Sequence, residues 1–281
     1  MEWVLLIIVA GLAAIAGIIL IYGNIVARRL PINCPARFLS RPRIDQKVVV
    51  CVGDSITHGR VSANYVDLLG TRLGEDYQVV NAGINGELAW NVLQRIDEVI
   101  TCRPDYITIL IGTNDANTTL DRKNQREALR AMKLPQVPTA EWYRESLEEI
   151  CRQLSARTTA QIALLSLPPI GEDFTHVGYQ RTMEYSTIIR ETAARHGLTY
   201  LPLHETMTAV LRQYNQPAKL SYDDGISLVM YKGIFDHIIR HKNYNDIAAA
   251  NGFQFLTDFL HLNERGAELV AGIVAGFVSD L

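Results

Sequence analysis

From residue 47 onward, short apolar runs alternate with longer stretches in which apolar positions recur every three or four residues. The short runs are KVVVCVG (47–53), YQVVNAG (77–83), YITILIG (106–112), QIALLSLP (161–168) and LTYLPLH (198–204). Nearly continuous apolar runs of this length, rich in valine and isoleucine, suit strands covered on both faces. The intervening segments, near 61–74, 87–100, 139–156, 176–196 and 263–279, carry helical spacing. Strands separated by helices predict an α/β domain with a parallel sheet and helices on both of its faces.

Two stretches interrupt the alternation. Residues 117–138 are polar and highly charged, and residues 205–257 contain the segment GISLVMYKGIFDHIIRHK (225–242). There Met230, Ile234 and Ile238 recur at helical spacing, with Lys232, Arg240 and Lys242 adding positive charge. Such a helix either packs its stripe on the sheet or closes over an apolar group or surface.

A third pattern precedes the domain. Residues 3–22, WVLLIIVAGLAAIAGIILIY, hold no charge, and at about 1.5 Å per residue a helix of this length reaches about 30 Å, enough to cross a bilayer. Trp3 and Tyr22 stand at its ends, as aromatic residues do at membrane interfaces. The expected organisation is therefore one N-terminal transmembrane helix within 1–23, a proline-interrupted linker over 24–46 and a single domain over 47–281. Arg28, Arg29, Arg37, Arg41 and Arg43 follow the apolar run. By the positive-inside rule they place the domain on the cytoplasmic side, the alternative being an extracytoplasmic or periplasmic one.

Composition narrows the class without naming it. The formal net charge of −3 lacks the basic footprint of a nucleic-acid protein. Cys34, Cys51, Cys102 and Cys151 show neither a CxxC pair nor disulfide-dense spacing, so they read as small hydrophobes or free thiols. Neither an H-E-x-x-H motif nor a P-loop occurs, and no metal or cofactor is expected.

In parallel sheets, ligands bind outside the carboxyl ends of the strands. Three polar, glycine-bearing loops begin at such ends: GDSITHG (53–59), NAGINGE (81–87) and GTNDANTT (112–119). Ser55 in the first is either a helix cap or a nucleophile. As a nucleophile it needs a base, and that base needs an orienting group. TDFLHLNERGAELV (257–270) offers both: Asp258 stands three residues before His261. A carboxylate there can hold imidazole Nδ1 and leave Nε2 for the serine. A D-x-x-H pair by itself is weak, since most are surface pairs. His58 also follows Ser55 by three, but one helical turn on it points along the helix. For a developing oxyanion, the donors are the N–H of Ser55, the N–H of Gly83 and the side-chain amide of Asn114. Alone, Gly83 and Asn114 read as turn residues; their occurrence at successive strand ends is what raises them. Asp54 and Asp115 read as acceptors that organise these loops.

GDSI (53–56), NAGINGE with Gly83, GTND (112–115) and DFLHLN (258–263) resemble the four ordered signature blocks of the SGNH, or GDSL-type, hydrolases. The resemblance implies a three-layer α/β/α fold of flavodoxin-like type with a five-stranded parallel sheet. It also implies Ser55 as nucleophile, His261 as base, Asp258 as its orienter, and an oxyanion hole of Ser55, Gly83 and Asn114. Members cleave carboxylic esters or thioesters, including lysophospholipids and O-acetylated sugars, without a cofactor. The expected function is a membrane-anchored serine esterase acting on small-molecule or lipid esters. The alternatives are an O-acetyl esterase or acetyltransferase acting on a cell-surface glycan, and a catalytically silent binding module.

Overall fold

The computed structural model describes residues 28–42, 45–214, 219–220, 222 and 225–279, together with Trp3, Gly17, Ile25 and Val26. Five parallel strands form one sheet: β1 (Lys47–Gly53), β2 (Tyr77–Gly83), β3 (Tyr106–Leu110), β4 (Gln161–Leu165) and β5 (Thr199–Leu201). Their spatial order is β2-β1-β3-β4-β5, with β1 inside the sheet between β2 and β3. Val49, Val50 and Val52 of β1 are wholly enclosed, each contributing about 1.5–3 kcal/mol of apolar burial. The expected strands are all present, although β3, β4 and β5 end earlier than their apolar runs. Ile111 and Leu167 remain in the core beyond the last ladder bonds.

The helices form the outer layers of a three-layer α/β/α arrangement. Tyr65–Leu73 packs with the C-terminal helix Glu264–Ser279, and Ala140–Arg157 packs with Ala89–Gln94 and Val177–His196. Local chemistry sets their starts. The side chain of Asn64 accepts from Val66 N and Asp67 N, and that of Thr139 accepts from Trp142 N, each satisfying first-turn donors. The helix expected over 87–100 is instead two, Ala89–Gln94 and Ile96–Thr101, broken at Arg95. Residues ahead of the sheet also touch it: Asn33 accepts from Asn81 N and donates to Val79 O, covering the free edge of β2.

Both insertions contain helices, Arg122–Ala131 in the first and Leu203–Leu211, Ile226–Ile238 and Tyr244–Asn251 across the second. In Ile226–Ile238, Gly233 and Asp236 face inward while Leu228, Tyr231 and Phe235 are exposed. The basic residues Arg240 and Lys242 are paired with Asp236. The four cysteines are buried and free, and burial pushes Cys51 up to about 11.

One expectation is corrected. A bilayer crossing needs about 20 consecutive, predominantly apolar residues in one helix. Among the described residues no helix is long and apolar enough to cross a membrane. The longest, Val177–His196 and Ala140–Arg157, carry charge along their length. The N-terminal transmembrane helix, the single-pass anchor and the membrane location drawn from residues 3–22 are withdrawn on that finding. That segment, apart from Trp3 and Gly17, lies outside the described residues.

Candidate active site

Sheet register brings the three loops together. Gly53 at the end of β1 lies level with Gly83 of β2 on one side and with Leu110 of β3 on the other. The loops after these strands therefore leave the sheet side by side. Ser55 opens the short helix Ser55–His58, whose cap is Asp54: its Oδ1 accepts from Ile56 N at 3.0 Å.

The fourth signature segment arrives from the far end of the chain as a tight loop. Leu256 and Leu262 pair antiparallel across it, and Thr257 N donates to His261 O at 2.8 Å. It is tied to the nucleophile side by Ala63 N to Leu262 O at 2.9 Å and Leu262 N to Ser62 Oγ at 3.0 Å. Glu172 holds its approach by accepting from the N–H groups of Gln254, Phe255 and Leu256. Within the loop, Asp258 Oδ1 accepts from Leu260 N at 2.7 Å and His261 N at 2.8 Å. Its Oδ2 lies 2.8 Å from His261 Nδ1, and His261 Nε2 lies 3.0 Å from Ser55 Oγ. Hydroxyl, imidazole and carboxylate thus form one unbroken chain across 206 residues of sequence separation.

All three side chains are buried. Burial raises the Asp258 carboxyl, but the imidazole of His261 and the bonded N–H groups outweigh it and hold the group below its ordinary value. For His261, burial pulls downward, yet the Asp258 charge and hydrogen bond, with Asp54 adding, leave it above the ordinary histidine value. The arrangement can pass a proton from the hydroxyl to the imidazole and stabilise the imidazolium that results. His58, by contrast, is pushed down to about 4 by burial and by nearby Arg60, and its Nδ1 has no hydrogen-bond partner among the described residues.

On the opposite side, Asn114 sits in the first turn of the helix Thr113–Thr118. Its Nδ2 donates to Glu87 O at 3.0 Å and meets Asp54 Oδ2 at 3.4 Å. Gly83 is needed for close approach, since a Cβ there would collide with the backbone of Thr57 and His58. Its N–H is already committed: it donates to Asn81 Oδ1 at 3.0 Å, while Asn81 Nδ2 donates to Thr57 O at 2.8 Å. Gly86 stands three residues further on at φ 80°, directly before the residue whose carbonyl binds Asn114. The sequence reading passed over Gly86, although the dipeptide Asn85–Gly86 is itself a turn signal and its positive φ suits glycine. Also passed over were Asn81, Glu172 and Arg95, whose work is to hold backbone.

Asp54 and Asp115 are both buried carboxyls pushed up to about 7, chiefly by burial. Asp115 accepts from Ala89 N, joining the third loop to the second. Among the described residues no group of three or more His, Cys, Asp or Glu side chains is placed to hold a metal ion.

Fold and site define a class, and the comparisons agree with it. Residues 51–269 match the GDSL-like Lipase/Acylhydrolase family, and the chain belongs to that family. It is a carboxylic ester hydrolase of GDSL type by that membership. A comparison of the sequence with curated proteins gives no match. Among solved structures, the acetyl xylan esterase AlAXEase is 19% identical at a TM-score of 0.57, covering 82% of this chain and 99% of its own. The acetylxylan esterase Axe2 of Geobacillus stearothermophilus is 17% identical at 0.58, covering 83% and 94%. A lipase/acylhydrolase from Enterococcus faecalis is 23% identical at 0.54, covering 83% and 95%. At these identities the likeness is one of fold.

Proposed function

We propose that this chain hydrolyses carboxylic esters through a covalent acyl group on Ser55. The observation that carries the reading is the continuous chain from Asp258 Oδ2 through His261 to Ser55 Oγ, at 2.8 and 3.0 Å. Ser55 Oγ attacks the ester carbonyl carbon while its proton moves to His261 Nε2. The tetrahedral oxyanion is held by the N–H of Ser55 and by the Asn114 amide. The Asn114 proton engaged only by the 3.4 Å contact with Asp54 is the one that turns to it. For the third donor the N–H of Gly86 serves better than that of Gly83, which Asn81 already occupies. Collapse of the intermediate expels the alcohol, protonated by His261. Water, deprotonated by His261, then attacks the acyl-serine and releases the acid. Asp258 stays ionised throughout.

Short acyl groups, acetyl foremost, suit the site best. Ser55 is only 7% exposed, which favours a small acyl group beside it. Two of the fold neighbours are described as acetyl xylan esterases. A longer acyl chain is the second reading, favoured by the exposed stripe Leu228, Tyr231 and Phe235. A series of p-nitrophenyl esters from acetate to palmitate tests the choice. The proposal expects kcat/KM to be highest at acetate and to fall steadily with chain length. A maximum at octanoate or beyond would overturn the short-acyl reading while leaving the serine mechanism in place.

A further inference from the structure

Arg95 occupies the break between two helices that the apolar pattern runs together, at φ −121° and ψ 19°. From there its side chain turns back by eight residues to Glu87. Nε donates to Oε1 at 3.1 Å and Oε2 at 2.8 Å, and Nη2 donates to Oε2 at 2.6 Å. Nη2 also donates to Ala82 O at 2.8 Å, near the end of β2. One guanidinium therefore joins the strand end to the loop that follows it. Both partners are 11% exposed at the side chain. Burying such a pair seldom adds net stability over an apolar one, because both charges lose their water; what a planar fork supplies is fixed geometry.

That geometry falls on the oxyanion side of the site. Glu87 uses its carboxylate to bind Arg95 and its own main-chain carbonyl to bind Asn114 Nδ2 at 3.0 Å. Glu87 is thus gripped at its side chain by Arg95 and presents the carbonyl of its peptide with Leu88 to Asn114. The loop's other ties are made by main-chain N–H groups: Ile84 N to Gly53 O, Glu87 N to Ile84 O, Leu88 N to Asn91 Oδ1 and Ala89 N to Asp115.

We propose that Arg95 and Glu87 form a positioning pair that sets the oxyanion hole, acting through the Glu87 carbonyl on the Asn114 amide and through the loop on the N–H of Gly86. The inference rests on the serine-esterase reading above. Neither side chain is among the proposed donors; each is engaged with the other or with Ala82 O. The pair's role is to hold donors at the place where negative charge develops, an effect confined to the transition state.

The test is a double-mutant cycle between Arg95→Met and Asn114→Ala, with steady-state kinetics on p-nitrophenyl acetate and the affinity of a methyl trifluoromethyl ketone that mimics the oxyanion. Arg95→Met is expected to lower kcat about 10²-fold, the scale of a small misplacement of catalytic groups, with KM changed less than about threefold. Ketone affinity should fall in parallel with kcat. In the Asn114→Ala background the same substitution should cost less than about fivefold, because its main target is gone. Full additivity of the two substitutions, or a loss confined to KM, overturns the pair's role and leaves the esterase reading standing. Asn114→Ala with wild-type kcat overturns the oxyanion assignment itself, and this proposal with it. Glu87→Gln is the companion variant should Arg95→Met fail to fold. It keeps the shape and one acceptor for Arg95, and is expected to lower kcat about tenfold with unchanged KM. Wild-type kcat in folded Glu87→Gln would overturn the proposal equally.

Discussion

The two sides of the site are made of different material. On one side Ser55, His261 and Asp258 meet through side-chain atoms at 3.0 and 2.8 Å, and each is a residue type with its own reactive chemistry. On the other, the proposed donors are mostly main-chain N–H groups, and the side chains around them hold a loop: Asn81, Glu87, Arg95 and Asp115. The first side rests on a loop tied at both ends, by Ser62 and Ala63 to Leu262 and by Glu172 to residues 254–256. The second can be lost by a small shift of one loop in an otherwise intact fold. Disruption should therefore be near-total on the first side and graded on the second.

The largest effect is expected on the side-chain half. Ser55→Ala should lower kcat on p-nitrophenyl acetate by about 10⁵–10⁶-fold, and Asp258→Asn by about 10⁴-fold, with both proteins keeping their melting transition. Asp258→Asn acts by leaving the wrong nitrogen of His261 protonated. Comparable, modest losses from both substitutions would erase the distinction between the two halves.

On the backbone half, Asn114→Ala should reduce kcat by about 10²–10³-fold with KM little changed. A loss as large as that of Ser55→Ala would mean that Asn114 also holds the nucleophile loop, through its contact with Asp54 Oδ2.

The smallest effect sharpens the link between the halves. The proposed reaction needs neutral His261, and its raised pKa places the acidic limb of kcat/KM above about pH 6.5, the ordinary histidine value. Asp54, itself pushed up to about 7 by burial, adds to that rise only where it is ionised, in the upper part of the limb. Asp54→Asn removes the charge and keeps an acceptor for Ile56 N. Activity should then persist to lower pH than in the wild type. A limb that stays in place, measured over pH 5 to 9, would separate Asp54 from the histidine.

The same division explains what could be read from the sequence. The five strands were legible because parallel strands covered on both faces leave no polar alternation to confuse them. That Ser55, Asp258 and His261 lie together was legible through the four ordered blocks that resemble one family, since the D-x-x-H spacing alone is weak; the bonds at 2.8 and 3.0 Å join them. Gly83 stood out and Gly86 did not, because residue type says where glycine stands, not where its N–H points; only the bond to Asn81 Oδ1 shows that the Gly83 N–H is occupied. Arg95 was invisible because it lies inside an apolar periodicity that continues across it, and its role appears only when the helix is seen to break there. The insertion at 205–257 resisted reading for another reason. Its stripe of Met230, Ile234 and Ile238 marks a helix correctly, but spacing alone does not show that Leu228, Tyr231 and Phe235 remain exposed beside it.

The central claim is that Ser55 is the nucleophile and that His261 activates it. Intact-protein mass spectrometry after treatment with a fluorophosphonate tests it most directly. The account predicts one adduct per chain, located on Ser55, absent in Ser55→Ala and formed at least about 10²-fold more slowly in His261→Ala, the lower end of general-base catalysis. Equal labelling of wild type and Ser55→Ala, or labelling of Ser55 at an undiminished rate without His261, would contradict it.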